Sequence, residues 1–385
     1  MAPAPSELGS HAPQPPCGAA IGSTRGARPA WAENRFGLDY REEARLLGAP
    51  PLPIIDGHAH INGARAAEIY RDAMDAYGVS TVFSQTQLAE AENVRRVLGE
   101  RVRFVAIPDY MAPERRHAHT DGYLDSIRKW HDLGARMLKF WCAPRGREMG
   151  RDVGDPSLLT LDTPWRRKQM DLAASLGMAF MAHIADPDTW FATKYADASF
   201  YGTKRSHYEP LERLAKEYDR PWLIAHMGGW PEDLGFLSGL LDRNPRFVLD
   251  TSATKWMVRE LSKHPRANLA GFLERYRGRI VFGSDIVSME AHLSDDPGPR
   301  NMGMQAKNEA QAFDLYASRY WALRAMFEST YEGESPIADG DLKMVDPTRF
   351  DAMSAPRLRG FALDREELTH LYRRSAESTL ERWYS

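Results

Sequence analysis

Eight short apolar runs, separated by segments with helical spacing, place the strongest constraint on the fold of this chain. Continuous apolar runs are typical of parallel strands that are covered on both faces. Strands that alternate with helices form a parallel sheet, and eight such units close into a (β/α)8 barrel. The sequence therefore predicts an α/β fold of the TIM-barrel type. The runs are 52–55, 80–83, 102–107, 136–141, 178–183, 222–226, 247–250 and 280–282.

The segments between these runs repeat their apolar residues at helical intervals. In residues 64–77, for example, Ala67 and Tyr70 fall on the same side of a predicted helix. Pro164 follows Thr163, a combination that is typical of the first turn of a helix. Further helices are predicted over 120–133, 164–176, 210–218, 231–241, 266–276 and 365–382.

The length of 385 residues suits a single barrel domain that carries additions. Residues 1–35 are rich in Pro, Ala, Gly and Ser, so we predict a flexible extension or a strap on the surface. Residues 36–385 are predicted to form one TIM-barrel domain. Its core is placed at 51–290, an insertion after the eighth strand at 286–360, and a last helix at 365–382.

Two connections are longer than a barrel needs. Residues 184–208 follow the fifth run and residues 286–360 follow the eighth. Both are therefore expected at the carboxyl ends of the strands, where barrels keep their chemistry. Connections of this length are usually functional or disordered. The second includes a predicted helix at 305–327 and could form a lid or a contact between subunits.

Composition and charge exclude several classes of protein. A formal net charge of -3 gives no basis for a nucleic-acid partner. No apolar stretch approaches the roughly 20 residues that span a membrane, and the amino terminus lacks the basic and apolar parts of a secretory signal. The two cysteines, Cys17 and Cys142, suggest no disulfide framework. We therefore expect no nucleic-acid or membrane partner and a cytoplasmic location.

Residues that bind metals stand at the ends of several apolar runs. His58 and His60 are two positions apart, so on a strand both side chains point the same way. His183 and Asp285 end later runs, and the carboxyl ends of the strands meet at one mouth of a barrel. Three imidazoles and one carboxylate suit Zn²⁺, with Mn²⁺, Co²⁺ or Fe²⁺ as alternatives. The sequence therefore predicts one divalent ion, which would lower the pKa of a bound water to about 7.

Two residues are predicted to move protons at this centre. His226 ends the sixth run, where it could polarise a substrate carbonyl or act as a general acid or base. Asp285 could accept the proton of the water in addition to holding the ion. A second His-Ala-His sequence, from His117 to His119, stands in a polar stretch before Thr120, so we interpret that pair as a surface feature.

Lys139 lies inside the fourth apolar run, where an unpaired charge is costly to bury. It could orient a substrate carboxylate, form an ion pair inside the barrel, or be carboxylated and bridge two metal ions, so a second ion stays open. Other candidates for contact with a small-molecule substrate follow the strands and supply aromatic rings or positive charge. They are Arg145, Trp190, Lys194, Tyr195 and Arg259.

These motifs resemble those of the amidohydrolase superfamily, and within it the branch called amidohydrolase-related or amidohydrolase 2. That branch includes aminocarboxymuconate-semialdehyde decarboxylase and γ-resorcylate decarboxylase. The matches span residues 51–290, and the carboxyl-terminal helix is also similar to the last helix of the family. They are Ile55-Asp-Gly-His58-Ala-His60, Lys139, Ala182-His183, Ala225-His226-Met-Gly-Gly and Phe282-Gly-Ser-Asp285.

The resemblance implies a barrel enzyme with one divalent ion, usually zinc, although other branches hold two ions with a carboxylated lysine. The implied ligands are His58, His60, His183 and Asp285, and His226 is implied as a catalytic residue outside the ligand set. Since relatives are often dimeric, the resemblance also suggests a homodimer. The amino-terminal extension and the insertion after the eighth strand depart from the compact members, which leaves the substrate open.

The chemistry of these residues supports three hypotheses about function. The leading one is a metal-dependent hydrolase that cleaves a C–N or C–O bond of a small molecule, such as an amide, lactam, lactone or ester, through metal-activated water. The alternative is a metal-dependent non-oxidative decarboxylase of an aromatic or unsaturated carboxylic acid. Its carboxylate could be anchored by Lys139, Arg145, Arg147 and Arg259. The third is a metal-binding barrel without catalysis, which the presence of both His226 and Asp285 disfavours.

Overall fold

Parallel strands and helices alternate along the chain in the computed structural model of this protein, which describes residues 21–295 and 305–385. The parallel strands are β1 (Ile54–Ile61), β2 (Val79–Ser84), β3 (Val102–Phe104), β4 (Met137–Trp141), β5 (Ala179–His183), β6 (Trp222–Ile224), β7 (Phe247–Asp250), β8 (Ile280–Val281) and β9 (Ile286–Ser288). They lie in two sheets, in the orders β3-β2-β1-β9 and β4-β5-β6-β7-β8. Each of the eight apolar runs therefore contributes a strand.

Hydrogen bonds join the two sheets on both sides and close the barrel. On one side, Ala106 N donates to the Met137 carbonyl and Lys139 N donates to the Ala106 carbonyl, each at 2.8 Å. On the other side, Gly57 N donates to the Phe282 carbonyl at 2.8 Å, and β9 pairs in parallel with β1. The α/β fold of the TIM-barrel type, predicted from the apolar runs, is therefore confirmed.

Several strand boundaries differ from the prediction, and two of the differences concern His58, His60 and Asp285 of the candidate site. The apolar pattern predicts a first strand that ends at Ile55, but β1 continues to Ile61 because its last three residues pair with β9. His58 and His60 therefore lie within the strand instead of following it. The eighth strand is interrupted, and its second part is β9. An apolar run marks where side chains are buried, whereas backbone pairing continues beyond it.

The helices fill the connections between the strands. α2 has the predicted bounds, whereas the eight-residue helices α1, α3 and α12 have too few turns to show a clear period and were not predicted. The helices are α1 (Tyr40–Leu47), α2 (Ala64–Tyr77), α3 (Ala91–Leu98), α4 (Arg115–His119), α5 (Asp121–Asp132), α6 (Gly146–Asp152), α7 (Pro164–Ser175), α8 (Asp188–Phe191), α9 (Ala198–Tyr201), α10 (Tyr208–Glu217), α11 (Leu234–Arg243), α12 (Thr254–Leu261), α13 (Arg266–Arg275), α14 (Glu309–Glu328), α15 (Gly340–Val345), α16 (Arg365–Thr369) and α17 (Arg382–Tyr384), with π-helical segments at His370–Arg374 and Glu377–Glu381. Within the described ranges, none of these helices combines the length and the apolar character that crossing a bilayer would require.

The carboxyl-terminal helical region, from α16 to α17, lies against the end of the barrel where the strands begin. Leu380 packs among the inward-facing side chains of the strands. Arg373 Nη1 donates to the Pro53 carbonyl, next to the start of β1, at 3.0 Å. This region therefore closes the amino-terminal end of the barrel and leaves the carboxyl-terminal end for the candidate site.

The insertion after the eighth strand packs α14 against α1 and α2 and adds an antiparallel pair, β10 (Glu332–Glu334) and β11 (Arg357–Arg359). Tyr320 of α14 donates to Asp56 Oδ2 at 2.9 Å. Ser284 Oγ donates to the same oxygen at 2.6 Å. The insertion is therefore tied to β1 and to the interrupted eighth strand, on either side of the site residues.

Residues 21–35, here called the strap, pack on the insertion. Glu33 is buried and pairs with Arg319 of α14 at 2.6 Å and with Lys255 of α12 at 3.0 Å. The strap therefore carries a charged contact between two helices that are distant in sequence. Residues 1–20 of the predicted extension, which include Cys17, lie outside the described residues, and the division into extension and domain stays a prediction.

Candidate metal centre

The side chains of His58, His60 and Asp285 meet at the carboxyl end of the barrel. Asp285 Oδ1 lies 3.3 Å from His58 Nε2 and 3.1 Å from His60 Nε2. His58 is buried, and its Nε2 has no hydrogen-bond partner among the described residues. Leaving a buried polar nitrogen without a partner costs free energy. Because the three ligand atoms lie within 4.8 Å of one another, a single cation could satisfy them together.

The backbone at this point is closely packed and strained. A Cβ atom at Gly283 would lie 3.2 Å from the Cβ atoms of both His58 and Asp250, so a larger residue would push the strands apart. Asp285 has a φ of 58°, in the left-handed region that residues other than glycine rarely adopt. Strain of this kind persists at functional sites where the surroundings hold it in place.

His183 ends β5 and is held by a carboxylate. Its Nε2 lies 2.8 Å from Asp186 Oδ1, and Asp186 Oδ2 accepts a hydrogen bond from the Tyr195 hydroxyl at 2.6 Å. An ionised carboxylate only accepts hydrogen bonds, so Nε2 of His183 carries the proton and Nδ1 carries the lone pair. Nδ1 is therefore the nitrogen of His183 that has a lone pair for a metal ion, but among the described residues His183 does not belong to the group whose ligand atoms lie within 4.8 Å of one another.

His226 lies between two of the candidate ligands. Its ring centroid is 4.9 Å from that of His58 and 4.4 Å from that of His183. Its φ of 61° is again left-handed, at the start of a turn that contains Gly229. A Cβ atom at Gly229 would lie 2.4 Å from the Ala185 carbonyl oxygen, so the turn requires glycine there. The His-Met-Gly-Gly sequence therefore sets His226 beside the other imidazoles.

Asp250 and Ser252, which sequence reasoning missed as site residues, hold two imidazoles from one side. Asp250 Oδ2 lies 2.9 Å from His58 Nδ1, and Oδ1 accepts from the backbone N–H groups of His226 at 2.8 Å and Ser252 at 3.0 Å. These hydrogen bonds orient His58 and hold the backbone at His226, and Asp250 also places a ligand atom within 4.8 Å of those of His58 and His226. Asp250 ends the seventh apolar run, and that position was the available signal.

Burial and neighbouring charges set the protonation of this group. Burial lowers the pKa of His58, and it lowers the pKa of His226 well below its usual range. Burial raises the pKa of Asp285. The electrostatic effects of His58 and His226 and the hydrogen bond with His60 lower it by more, so the pKa of Asp285 lies well below its usual range. Neutral imidazoles and an ionised carboxylate are the forms that bind metal ions. The donor set therefore fits a divalent cation that accepts nitrogen and oxygen ligands.

Lys139, on β4, is buried beside this group. Its ammonium makes no hydrogen bond and no ion pair within 4 Å in the described part of the chain, so the close ion pair considered from the sequence does not form there. Burial lowers the pKa of Lys139 to about 8, although the charges of Asp285 and Asp250 oppose the shift. Within residues 21–295 and 305–385 this positive charge has no close partner, so it is available to an anion.

Aromatic residues line the mouth of the barrel beside His183. The Trp256 ring centroid lies 6.1 Å from that of His183 and 5.7 Å from that of Trp190. Asp341, on α15, accepts a hydrogen bond from Trp190 Nε1 at 2.7 Å and from Trp256 Nε1 at 3.2 Å. Part of the insertion therefore covers the site. Trp190 was predicted, whereas Trp256 and Asp341 were missed because their contact joins segments that are distant in sequence.

The other predicted substrate contacts differ in their access to the site. Tyr195 is buried and reaches the site through its bond to Asp186. Lys194 is exposed, and its Nζ lies 3.5 Å from the centroid of the Trp190 ring. The Arg145 side chain is 60% exposed, and the structure does not bring it to the imidazoles.

Arg259 does not present a free charge to a substrate. It is buried and pairs with Glu260 at 2.6 Å, with Asp341 at 3.1 Å and with Asp339. Three carboxylates therefore already compensate its charge. Arg259 joins α12 to the segment around α15, which corrects its prediction as a substrate anchor.

Only one histidine of the second His-Ala-His sequence lies on the surface. His117 is exposed, but His119 is buried, with its ring centroid 5.6 Å from that of Tyr110. Both histidines lie on the short helix α4, where residues two apart face different directions. The surface interpretation is therefore wrong for His119, and the two histidines cannot act as a pair.

No protein-family model matches the sequence, and the search of curated proteins found no match. The chain is similar to solved structures at low identity. One is 5-carboxyvanillate decarboxylase from Novosphingobium aromaticivorans, complexed with manganese and 4-hydroxy-3-methoxy-5-nitrobenzoic acid, at 12% identity and a TM-score of 0.43, covering 88% of this chain and 96% of that chain. Another is a probable 2-pyrone-4,6-dicarboxylic acid hydrolase from Acinetobacter baumannii with citric acid bound, at 11% identity and a TM-score of 0.41, covering 76% and 99%.

A third similar structure is an amidohydrolase from Burkholderia multivorans with HEPES bound, at 14% identity and a TM-score of 0.31, covering 79% of this chain and 99% of that chain. These likenesses are distant, and the fold is assigned from the strand pairing of the chain itself. The protein is a (β/α)8 barrel, and its sequence motifs resemble those of the amidohydrolases.

Proposed function

We propose that the protein is a metal-dependent enzyme of the amidohydrolase type that hydrolyses a C–N or C–O bond of a small molecule, such as an amide, lactam, lactone or ester. The observation that carries this proposal is the buried Nε2 of His58, which has no hydrogen-bond partner among the described residues and lies 3.3 Å from the ionised Asp285. With His60 and Nδ1 of His183, these groups supply three imidazoles and one carboxylate for one divalent ion. When bound, such an ion polarises a carbonyl oxygen and lowers the pKa of water.

The chain's own groups would supply the proton transfers. Asp285 is ionised and can accept a proton on its carboxylate, then return it to a leaving group. His226 is neutral and can accept a proton on its ring, then return it to a leaving group. Trp190 and Trp256 cover the mouth and would exclude bulk water from the bound substrate.

The test combines the metal content of the purified protein with its activity. We expect about one ion per chain by elemental analysis, and hydrolysis of at least one compound in a panel of amides, lactams, lactones and esters. Asp285→Asn should lower the rate about 10²–10⁴-fold, whereas His117→Gln, at the exposed histidine, should leave it unchanged. A zinc-loaded protein that is inert toward the whole panel would contradict hydrolysis. Unchanged function in Asp285→Asn would favour a metal-binding barrel without catalysis.

Non-oxidative decarboxylation of an aromatic or unsaturated carboxylic acid is the second candidate function. Lys139 favours it, because a substrate carboxylate would compensate a buried ammonium that has no close partner in the part of the chain that the structure describes. Release of CO₂ from hydroxybenzoate-type acids, without consumption of water, would identify this reaction. Lys139→Met should then raise KM for the acid about 10–100-fold, the range of a lost charge-assisted hydrogen bond, whereas Lys194→Met, at an exposed lysine, should not.

The proposal also covers the native ion, the oligomeric state, the location and the substrate. The native ion is proposed to be Zn²⁺, with Mn²⁺, Co²⁺ or Fe²⁺ as alternatives and a second ion left open. The protein is proposed to act as a homodimer in the cytoplasm on a small molecule that can carry a carboxylate. Metal analysis gives the identity and number of the ions, and sedimentation equilibrium gives the number of chains.

A further inference from the structure

The hydroxyl group of Ser252 stands between three site residues. Its Oγ lies 2.7 Å from His226 Nδ1 and 2.9 Å from His58 Nδ1, and it also contacts Asp250 Oδ1. Ser252 and its three partners are buried. Each polar hydrogen atom in this buried group therefore needs an acceptor within the protein.

A count of protons gives one consistent arrangement. A hydroxyl has one proton and two lone pairs, and an ionised carboxylate can only accept hydrogen bonds. If Ser252 donated its proton to a ring nitrogen, its lone pairs would face Asp250 Oδ1, which is also an acceptor, with no proton between the two oxygens. The hydroxyl therefore donates to Asp250, and its lone pairs accept from ring N–H groups. Nδ1 is then the protonated nitrogen of both His58 and His226.

The two histidines depend on Ser252 to different degrees. His58 Nδ1 has a second acceptor, Asp250 Oδ2, at 2.9 Å. His226 Nδ1 has Ser252 Oγ as its one hydrogen-bond partner within residues 21–295 and 305–385. Without the hydroxyl, His226 would no longer favour one tautomer, whereas His58 would keep its proton on Nδ1.

We propose that Ser252 is a positioning residue that selects one tautomer of His226, with the proton on Nδ1 and the lone pair on Nε2. The same hydroxyl supports the Nδ1–H form of His58, whose Nε2 faces Asp285 in the metal centre and has no hydrogen-bond partner among the described residues. Ser252 touches no reacting atom and acts through the imidazoles. The inference rests on the proposed function only for its catalytic consequence, because the tautomer itself is a property of the metal-free protein.

The test is the ¹⁵N spectrum of the histidine rings in metal-free protein that carries ¹⁵N-labelled histidine. Bare and protonated ring nitrogens have well-separated shifts, and subtraction of the His226→Gln spectrum assigns the ring of His226. In the unchanged protein at neutral pH we expect His226 with a protonated Nδ1 and a bare Nε2. A spectrum with a protonated Nε2, or with both nitrogens protonated, would overturn the inference without any Ser252 variant.

Ser252→Ala then tests the cause. We expect averaged His226 shifts that indicate a mixture of tautomers, while the His58 signals stay unchanged. Thr251→Val is the matched control, because its hydroxyl lies on the neighbouring residue and contacts Gly283 instead of a histidine. An unchanged His226 tautomer in Ser252→Ala would overturn the proposal. A protein that binds no metal would overturn the proposed function and leave the tautomer result intact.

Discussion

His119 illustrates how the burial of one histidine can set the acid stability of a fold. Burial, with a smaller effect from Arg166, lowers the pKa of His119 to about 3, whereas the unfolded chain titrates near 6.5. Between about pH 6.5 and pH 3 the unfolded chain therefore binds a proton that the folded chain does not. The free energy of unfolding should fall as the pH falls through this window.

We expect His119→Gln to flatten this part of the stability curve, by on the order of a few kcal/mol in total. Urea denaturation at a series of pH values measures the effect. His117→Gln is the control, because His117 is exposed on the same short helix. Equal pH dependence in the two variants would show that His119 does not carry the effect.

The bond from Tyr195 to Asp186 should influence metal affinity, although Tyr195 would not touch the ion. Tyr195→Phe keeps the ring and removes the hydroxyl that donates to Asp186 at 2.6 Å. We expect the metal dissociation constant to rise about 10–100-fold, the range for residues that orient a ligating histidine. Competition with a chelating dye measures it.

Tyr201→Phe is the matched control for this measurement. Its ring lies 4.9 Å from that of Tyr195, but its hydroxyl donates to Glu148. The control should retain the affinity of the unchanged protein. If both variants bound metal equally well, Asp186 would not need Tyr195 to orient His183.

At the scale of single residues, the sequence predicts the groups that face the site better than the groups that hold them. Their positions at the ends of apolar runs single out His58, His60 and Asp285, and the structure brings these side chains together. Asp186 and Ser252 were missed because a supporting residue is defined by its hydrogen-bond partner. That partner depends on the turn after each strand, which the apolar pattern does not describe.

At the scale of elements, the strap should stabilise the packing of the insertion. Glu33→Gln would leave the buried Arg319 and the half-buried Lys255 without their carboxylate. Removing one partner of a buried ion pair typically costs about 3–5 kcal/mol, so we expect a loss of about 3 kcal/mol in the free energy of unfolding. Urea denaturation measures this loss.

The control for the strap is Arg28→Gln. Arg28 also lies in the strap, but its ion pair with Asp39 is exposed. Exposed pairs contribute about 0–1 kcal/mol, so this variant should be close to the unchanged protein. A similar loss in both variants would indicate that the position in the strap matters and the buried charge does not.

The elements themselves were predicted to different degrees. Apolar runs and helical periods located the eight strands and helices such as α2, because each pattern is local to its own segment. The length of the insertion indicated that it could form a lid, but it did not show that α15 covers the mouth, since that depends on the hydrogen bonds from Trp190 and Trp256 to Asp341. Side chains from three separate segments form that contact, and no local pattern contains it.

At the scale of the whole molecule, a divalent ion should stabilise the fold in a concentration-dependent way. Binding to the folded state alone adds about 2.7 kcal/mol when the free ion is at 100 times its Kd. We expect Tm to rise on titration with Zn²⁺ or Mn²⁺ and to fall when EDTA is added. His60→Gln should reduce the rise and His117→Gln should retain it, as measured by differential scanning calorimetry. A Tm that does not respond to either ion would contradict the site.

The centre takes its groups from the first and the last strand of the barrel. Two histidines come from β1, and an aspartate comes from the break between β8 and β9. During synthesis the first strand leaves the ribosome long before the last, and contacts of such high sequence separation form late. A nascent chain thus exposes the histidines before their carboxylate exists. The cation would then bind only after the barrel has closed, and the metal content of a preparation would report the fraction of molecules that had completed folding.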